Sequence, residues 1–242
     1  MKQYGLIGKT LKHSFSEKYF GEKFGKEVIR EARYSLYELE EISAFRKLIS
    51  EKVFAGLNVT IPYKESIISF LDDVDETAKS IGAVNTIDFK NGKLTGYNTD
   101  VIGFGKALKR LIGRKTVRDA LVLGSGGASK AIQFFLKSKG IDFLVVSRSK
   151  GDLSYDQLDR DTIRSHRLII NCTPVGTFPD IDEAPAIPYQ HLRTKHLLFD
   201  LVYNPEKTLF LTHGESVGAS IMNGYEMLVE QAEASWKIWN TH

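Results

Sequence analysis

The sequence predicts an α/β protein built in two halves, and three observations carry that prediction. Short apolar runs alternate with amphipathic stretches along all 242 residues, the mark of strands interleaved with helices. The pattern begins afresh after Asp100. In the second half a glycine-rich turn, Gly124-Ser125-Gly126-Gly127, separates an apolar run from a helical stretch.

In the first half, strands are predicted at residues 4–7, 32–36, 56–59, 85–89 and 93–97. The last two flank Asn91-Gly92, a hairpin signal because both residues tolerate φ > 0. Helices are predicted at 16–24, 40–50, 62–71 and 75–81, with Ile42, Phe45 and Ile49 on one face of the second. Gly82 suits the C-cap of the fourth. Pro62 suits the first position of the third, which places Lys64 in that helix's first turn. A cation there opposes the helix dipole, so a reason outside the helix is needed for the amine.

Beyond Asp100, residues 100–111 repeat apolar Val101, Phe104, Leu108 and Leu111 at helical spacing. A strand at 120–123, a helix at 128–139 and strands at 143–147, 168–171 and 197–202 follow. A final helix covers 225–239, with Leu228, Ala232, Ser235 and Trp239 facing inward. No flexible linker surrounds Asp100, so the helix starting there is predicted to join the halves.

Composition narrows the function classes. The chain is 42% hydrophobic and 26% charged, with 33 basic and 30 acidic residues for a net charge of +3, an ordinary globular balance. That balance argues against nucleic-acid and membrane partners and leaves any anion site local. Cys172 is the single cysteine, which excludes an intrachain disulfide or multi-cysteine zinc site; no metal is expected. The N-terminus lacks a signal peptide's apolar core, and no apolar run approaches roughly 18 residues. A cytoplasmic protein is the expectation.

The turn Gly124-Ser125-Gly126-Gly127-Ala128 is a variant of the dinucleotide-binding turn. Its glycines admit a pyrophosphate to the backbone, and the helix behind it supplies N–H groups and positive potential. Alone it also reads as a tight strand–helix turn; the flanking strands and helix raise it above that. At the end of the next strand stand Ser147-Arg148-Ser149-Lys150, where an NAD unit usually presents an acid. Two cations and two hydroxyls suit a 2′-phosphate, and Arg148 can stack on adenine. NADP is therefore favoured, although Lys150 alone reads as a solvated loop residue.

Four further clusters sit at element ends. Ser14 and Ser16, after His13, can donate to a carboxylate, while Ser16 also makes a good N-cap. Asn58, Thr60 and Lys64 follow the third strand. Asn85 lies in Gly82-Ala83-Val84-Asn85-Thr86, a stretch that also reads as plain turn chemistry. Asp100 ends Gly96-Tyr97-Asn98-Thr99-Asp100, where it also stabilises a helix start.

Together the clusters resemble the shikimate dehydrogenase family. The motifs His13-Ser14-x-Ser16, Asn58-Val59-Thr60-x-Pro62-x-Lys64, Gly82-Ala83-Val84-Asn85-Thr86, Asn98-Thr99-Asp100-x-x-Gly103-Phe104, Gly124-x-Gly126-Gly127-Ala128, Asn171-Cys172-Thr173-Pro174-Val175-Gly176, Asp200-Leu201-Val202-Tyr203-x-Pro205 and Met227-Leu228-x-x-Gln231-Ala232 occur in the family's order, over essentially the whole chain. The resemblance implies an N-terminal α/β substrate domain (1–100 with 222–242), a Rossmann-like doubly wound NADP-binding domain (101–221) and a cleft between them. It implies NADPH-dependent, reversible reduction of 3-dehydroshikimate to shikimate, in aromatic amino-acid synthesis. Lys64 and Asp100 would form the catalytic pair, and Ser14 and Ser16 would hold the substrate carboxylate. Thr60, Asn85, Asp100 and Gln231 would bind the ring hydroxyls and reacting oxygen, with Tyr203 lining the site. Leu201 and Gly224 would contact the nicotinamide, with Thr173 and Val175 along the cofactor groove. A monomer or homodimer is expected.

Some positions depart from the family pattern. Glu17, Tyr19 and Phe20 replace a usual Pro and His-Asn, Ser147 replaces an Asn, Glu226 replaces a Gly, and residues 151–167 look trimmed. Three other readings compete. An NAD-preferring quinate/shikimate dehydrogenase shares the motifs, but Arg148 without a neighbouring acid opposes it. A non-catalytic metabolite-binding member would not need both Lys64 and Asp100. A folate-type dehydrogenase would not explain the paired serines.

Overall fold

The computed structural model describes residues 1–12 and 14–241; His13, the first residue of one motif, lies outside the described residues. The chain divides into two compact units, Met1–Ile102 with Gln231–His242, and Gly103–Glu230. Both divisions fall inside helices, Asp100–Ile112 and Tyr225–Asn240. The second unit thus runs on to Glu230, past the residue 221 expected from sequence.

The first unit holds a six-stranded mixed sheet. Its strands are β1 (Lys2–Gly8), β2 (Ala32–Glu38), β3 (Gly56–Val59), β4 (Asp73–Val74), β5 (Thr86–Lys90) and β6 (Lys93–Tyr97), in the order β2-β1-β3-β5-β6-β4. β2, β1 and β3 run parallel, and β5 turns antiparallel to β3. The β5–β6 hairpin closes through Asn91 and Gly92 at φ 54° and 73°, with Lys90 opposite Lys93. These are the two positive φ values that a type I′ turn requires.

Alternation along the strands sends side chains to two cores. Ile7, Leu57, Val59 and Ile87 pack with Phe45 of helix α2 (Ala44–Glu51). Tyr4 and Leu6 pack instead with Phe20 of α1 (Phe15–Lys26) and with Ala232 and Trp239 of the C-terminal helix. The Trp239 ring lies so close to Gly56 that a Cβ there would fall 2.2 Å from Nε1, and that nitrogen donates to Ile87 O at 3.0 Å. Helix α3 (Glu76–Ile81) is capped by the Asp75 carboxylate and ends at Gly82, φ 72°.

The predicted helix at 62–71 does not form. Residues 61–65 are turns and only Ser66–Phe70 coils, as a 3-10 helix. The Lys64 carbonyl accepts from Val84 N–H at 2.7 Å, which takes it out of any helical ladder. Lys64 is therefore not in the first turn of an α-helix, and the expected conflict with a helix dipole does not arise. The N-cap of α1 is Ser14, whose hydroxyl accepts from Ser16 N–H at 3.2 Å; Ser16 is not the cap.

The second unit is a five-stranded parallel sheet in the order β11-β10-β9-β7-β8. The strands are β7 (Asp119–Leu123), β8 (Asp142–Val146), β9 (Leu168–Asn171), β10 (Leu197–Asp200) and β11 (Ser220–Met222). Helices α4 (Asp100–Ile112), α5 (Gly127–Ser138), α6 (Arg160–Ser165) and α7 (Leu209–Ser216) accompany them, and α8 (Tyr225–Asn240) follows. Ala120, Val122, Ile170 and Phe199 face Leu108 and Ile132 on one side. Leu121, Leu123, Ile169 and Leu198 face Ile163 and Phe210 on the other. Helices thus cover both faces, as in a doubly wound sheet. The strand order reverses at β7, with β8 on one side and β9 on the other; a switch point of this kind opens a crevice at the carboxyl ends of the strands.

Candidate active site

In the first unit the site residues cluster where β3 and β6 end and β5 begins. Lys64 Nζ lies 2.5 Å from Asp100 Oδ2, the two side chains 14% and 7% exposed. The second carboxylate oxygen is also held, since Asn85 Nδ2 donates to Oδ1 at 2.8 Å. Asp100 is thus fixed at both oxygens, while the Lys64 amine keeps donors beyond the one used by Asp100.

Asn85 is itself oriented. Its Oδ1 accepts from Thr99 N–H at 2.7 Å, and its Nδ2 reaches Thr99 Oγ1 at 3.0 Å and Gln231 Oε1 at 3.4 Å. Beneath lies Ser235, fully buried in α8. Its hydroxyl meets Asn58 Nδ2 at 2.9 Å, Thr86 Oγ1 at 2.7 Å and Thr99 Oγ1 at 3.1 Å, and donates to Gln231 O at 3.0 Å. The network continues from Asn58 Oδ1, which accepts from Tyr34 OH at 2.8 Å. Burial pushes the Tyr34 phenol up.

Of the residues expected at the substrate, Lys64, Asp100, Asn85 and Gln231 form one linked cluster. Ser14 flanks Ser16 at the α1 cap. Thr60 stands at the exit of β3, its N–H bonded to Ile7 O at 2.9 Å. Tyr203 belongs to the second unit. Thr86, Thr99 and Ser235 escape sequence reasoning as supports. Thr86 and Thr99 lie within motifs already singled out, and Ser235 is a hydroxyl on an inward helical face.

In the second unit the strand–turn–helix leaves an open space at the N-terminus of α5. Gly124 has φ 102°, where an L side chain is strained, and a Cβ there would fall 2.9 Å from Thr173 Cγ2. No side chain caps α5 at Gly126, and a Cβ on Gly126 would meet nothing within 4 Å. Packing of the chain does not demand that glycine, so its missing side chain keeps open the space over the helix N-terminus, where N–H groups gather positive potential. These features fit a bound dinucleotide.

The loop after β8 is organised by Ser147. Its hydroxyl meets Ser125 Oγ at 3.0 Å and accepts from Ser149 N–H and Lys150 N–H at 3.4 and 3.3 Å. Gly151 lets this loop fold back, since a Cβ there would fall 2.6 Å from Val145 O. Ser125, Lys130, Lys150 and Gly151 line a cleft of about 470 Å³. Arg148 is exposed on the same loop. On the other side of the turn, Asn171 Oδ1 accepts from Thr173 N–H and Oγ1 at 3.0 and 2.6 Å, and Thr173 Oγ1 accepts from Val175 N–H at 3.3 Å. Gly224 N–H bonds to Val202 O at 3.1 Å, and a Cβ on Gly224 would strike Leu201 O at 2.1 Å.

A doubly wound unit with an open glycine turn and a unit carrying an ordered Lys–Asp pair define a dinucleotide-dependent dehydrogenase. Residues 6–87 match the shikimate dehydrogenase substrate binding domain. The NADP(+) shikimate dehydrogenase of Methanococcus maripaludis is 37% identical over 98% of this chain and 91% of its own. That of Clostridium beijerinckii is 38% identical over 99% and 92%. The crystal structure of shikimate 5-dehydrogenase from Thermus thermophilus, in complex with NADP(H) and shikimate, superposes with a TM-score of 0.85 at 30% identity, over 99% of this chain and 94% of that one. The chain belongs to the shikimate dehydrogenase family. Among the described residues no helix is long and apolar enough to cross a membrane.

Proposed function

We propose that this protein reduces 3-dehydroshikimate to shikimate, reversibly and with NADPH, and that Lys64 and Asp100 are its catalytic pair. The observation that carries the assignment of the pair is the 2.5 Å contact between Lys64 Nζ and Asp100 Oδ2, with Asn85 on the remaining carboxylate oxygen. The reaction needs a donor beside a ketone oxygen that gains negative charge. An ammonium aimed by a fixed carboxylate is such a donor.

When bound, NADPH supplies the hydride. Gly124 and Gly126–Ala128 receive its pyrophosphate. Ser147, Arg148, Ser149 and Lys150 take the 2′-phosphate, Ser125 closes the turn, Thr173 and Val175 line the cofactor groove, and Leu201 and Gly224 contact the nicotinamide. On the substrate, the Ser14 and Ser16 hydroxyls donate to the carboxylate. Thr60, Asn85 and Gln231 read the ring hydroxyls, and Tyr203 lines the site. Lys64 stabilises the charge that grows on the carbonyl oxygen and hands it a proton; in reverse it accepts that proton from the shikimate hydroxyl. Asp100 keeps the amine in place and binds the same hydroxyl.

The decisive assay pairs NADPH and NADH with 3-dehydroshikimate, and NADP and NAD with shikimate and quinate. The expected result is turnover with NADPH and preference for shikimate over quinate in reverse. Equal or better turnover with NAD and quinate would overturn the assignment.

A further inference from the structure

We propose that Asp200 is a positioning residue for the cofactor: one buried carboxylate that holds in register the loops after β9 and β10 and the turn into α8. The proposal rests on the reading of Leu201 and Gly224 as nicotinamide contacts and of Thr173 and Val175 as groove residues for the same cofactor. None of those four touches the others through a strand or helix ladder. Thr173, Val175 and Gly224 connect to the Asp200 carboxylate through Asn171 and Val202, and Leu201 follows Asp200 in the chain.

Asp200 ends β10 and is fully buried. Its Oδ1 accepts from Asn171 Nδ2 at 2.9 Å and from Val202 N–H at 3.0 Å. Its Oδ2 accepts from Thr208 Oγ1 at 2.6 Å. Each partner passes the constraint on. Asn171 turns its Oδ1 to the Thr173 amide and hydroxyl, and Thr173 in turn holds Val175 N–H. Val202 carries the constraint through its carbonyl to Gly224 N–H. Leu201 is caught between, its N–H bonded to Asn171 O at 2.9 Å. Thr208 caps α7 through Leu211 N–H at 3.3 Å, which anchors the whole node to a helix.

The cost of the arrangement argues for its use. A carboxylate buried with only neutral partners is expensive, and a sheet end needs no such group for its packing. A three-way acceptor is what the arrangement does need. Asn at this position would preserve it: its Oδ1 keeps both N–H donors, and its amide nitrogen donates to Thr208 Oγ1, whose hydroxyl rotates to accept. Ala would release all three.

The test measures NADPH binding by fluorescence titration and shikimate binding by quenching, on the full chain, for Asp200→Ala, Asp200→Asn and Thr208→Val. Asp200→Ala should weaken NADPH on the order of 10- to 100-fold, the loss of hydrogen bonds to a charged group, with shikimate affinity unchanged. Asp200→Asn should restore NADPH binding. Should Asp200→Ala not fold, Thr208→Val decides: it lies behind the carboxylate and should weaken NADPH several-fold without touching shikimate. Unchanged NADPH affinity in Thr208→Val and in any folded Asp200→Ala overturns the proposal, as does equal loss of both ligands. Absence of NADPH binding by the unsubstituted protein would instead overturn the cofactor reading itself.

Discussion

Beneath the candidate catalytic pair, the first unit places neutral groups: the amides of Asn58 and Asn85 and the hydroxyls of Thr86, Thr99 and Ser235. The charges sit above them, and Lys64 remains partly exposed. In the second unit the order is inverted. The charge lies at the bottom, in Asp200, and what it holds up are backbone amides and a glycine turn. The two charged groups of the first unit offset each other's burial. Among the described residues the hydrogen-bond partners of Asp200 are the neutral Asn171, Thr208 and Val202 amide, and burial pushes its carboxyl up to about 6 despite them. A unit proposed to perform proton chemistry keeps its charge where a small molecule can meet it; a unit that shapes a groove can bury its charge as a fastener.

The sharpest break in that contrast comes from Lys64→Ala. The variant should lower kcat on the order of 10²–10⁴-fold, the range for a general acid–base group, with NADPH affinity unchanged. A near-normal kcat would remove Lys64 from the chemistry and leave the first unit with a structural ion pair. Next in size is the pH response of the buried fastener. The folded carboxyl titrates near 6 against an ordinary 3.8, so the folded state binds a proton that the unfolded state lacks between those values. Stability from this group therefore rises as pH falls from about 6 to 4, by roughly 3 kcal/mol in all at about 1.4 kcal/mol per pH unit. Denaturant melts of Asp200→Asn should lack that rise; an unchanged slope would assign it to other groups.

Arg148→Ala should raise KM for NADPH on the order of tenfold or more, as one charged contact is lost, and leave KM for NADH nearly unchanged. An equal effect on both would end the 2′-phosphate role of this exposed side chain. The smallest effect belongs to Ser235→Ala. Each partner of that hydroxyl keeps another bond, so the stability cost should be about 1 kcal/mol, with kcat lowered only a few-fold through Asn85 and Asp100. A large kcat loss would mean that the neutral floor aligns the pair more tightly than a set of replaceable bonds can.

Much of this is legible in the sequence. The strands β3, β6 and β9 match their predicted limits, because apolar alternation and Asn91-Gly92 are local signals. The glycine turn sits between strand and helix as expected. The absence of a helix at Pro62 was not legible, because the Lys64 carbonyl is claimed by Val84, a partner that no window around Lys64 contains. Strand β4, two residues long, and the short helices α6 and α7 carry too little periodicity to stand out. The pairing of Lys64 with Asp100 came from family likeness, since nothing local joins residues 36 apart in sequence. The fastening role of Asp200 was hidden for the same reason: its partners lie on separate loops.

The C-terminal half of α8 also decides when the molecule is finished. Trp239 fills the place that Gly56 leaves, and Ser235 and Gln231 complete the polar floor of the first unit. A chain emerging from the ribosome folds from its N-terminus, yet these residues arrive only after the whole of Gly103–Glu230 has been made. The unit that is translated first is therefore completed last. A nascent chain halted at Glu230 would carry a finished sheet of β7 to β11 and no assembled seat for substrate.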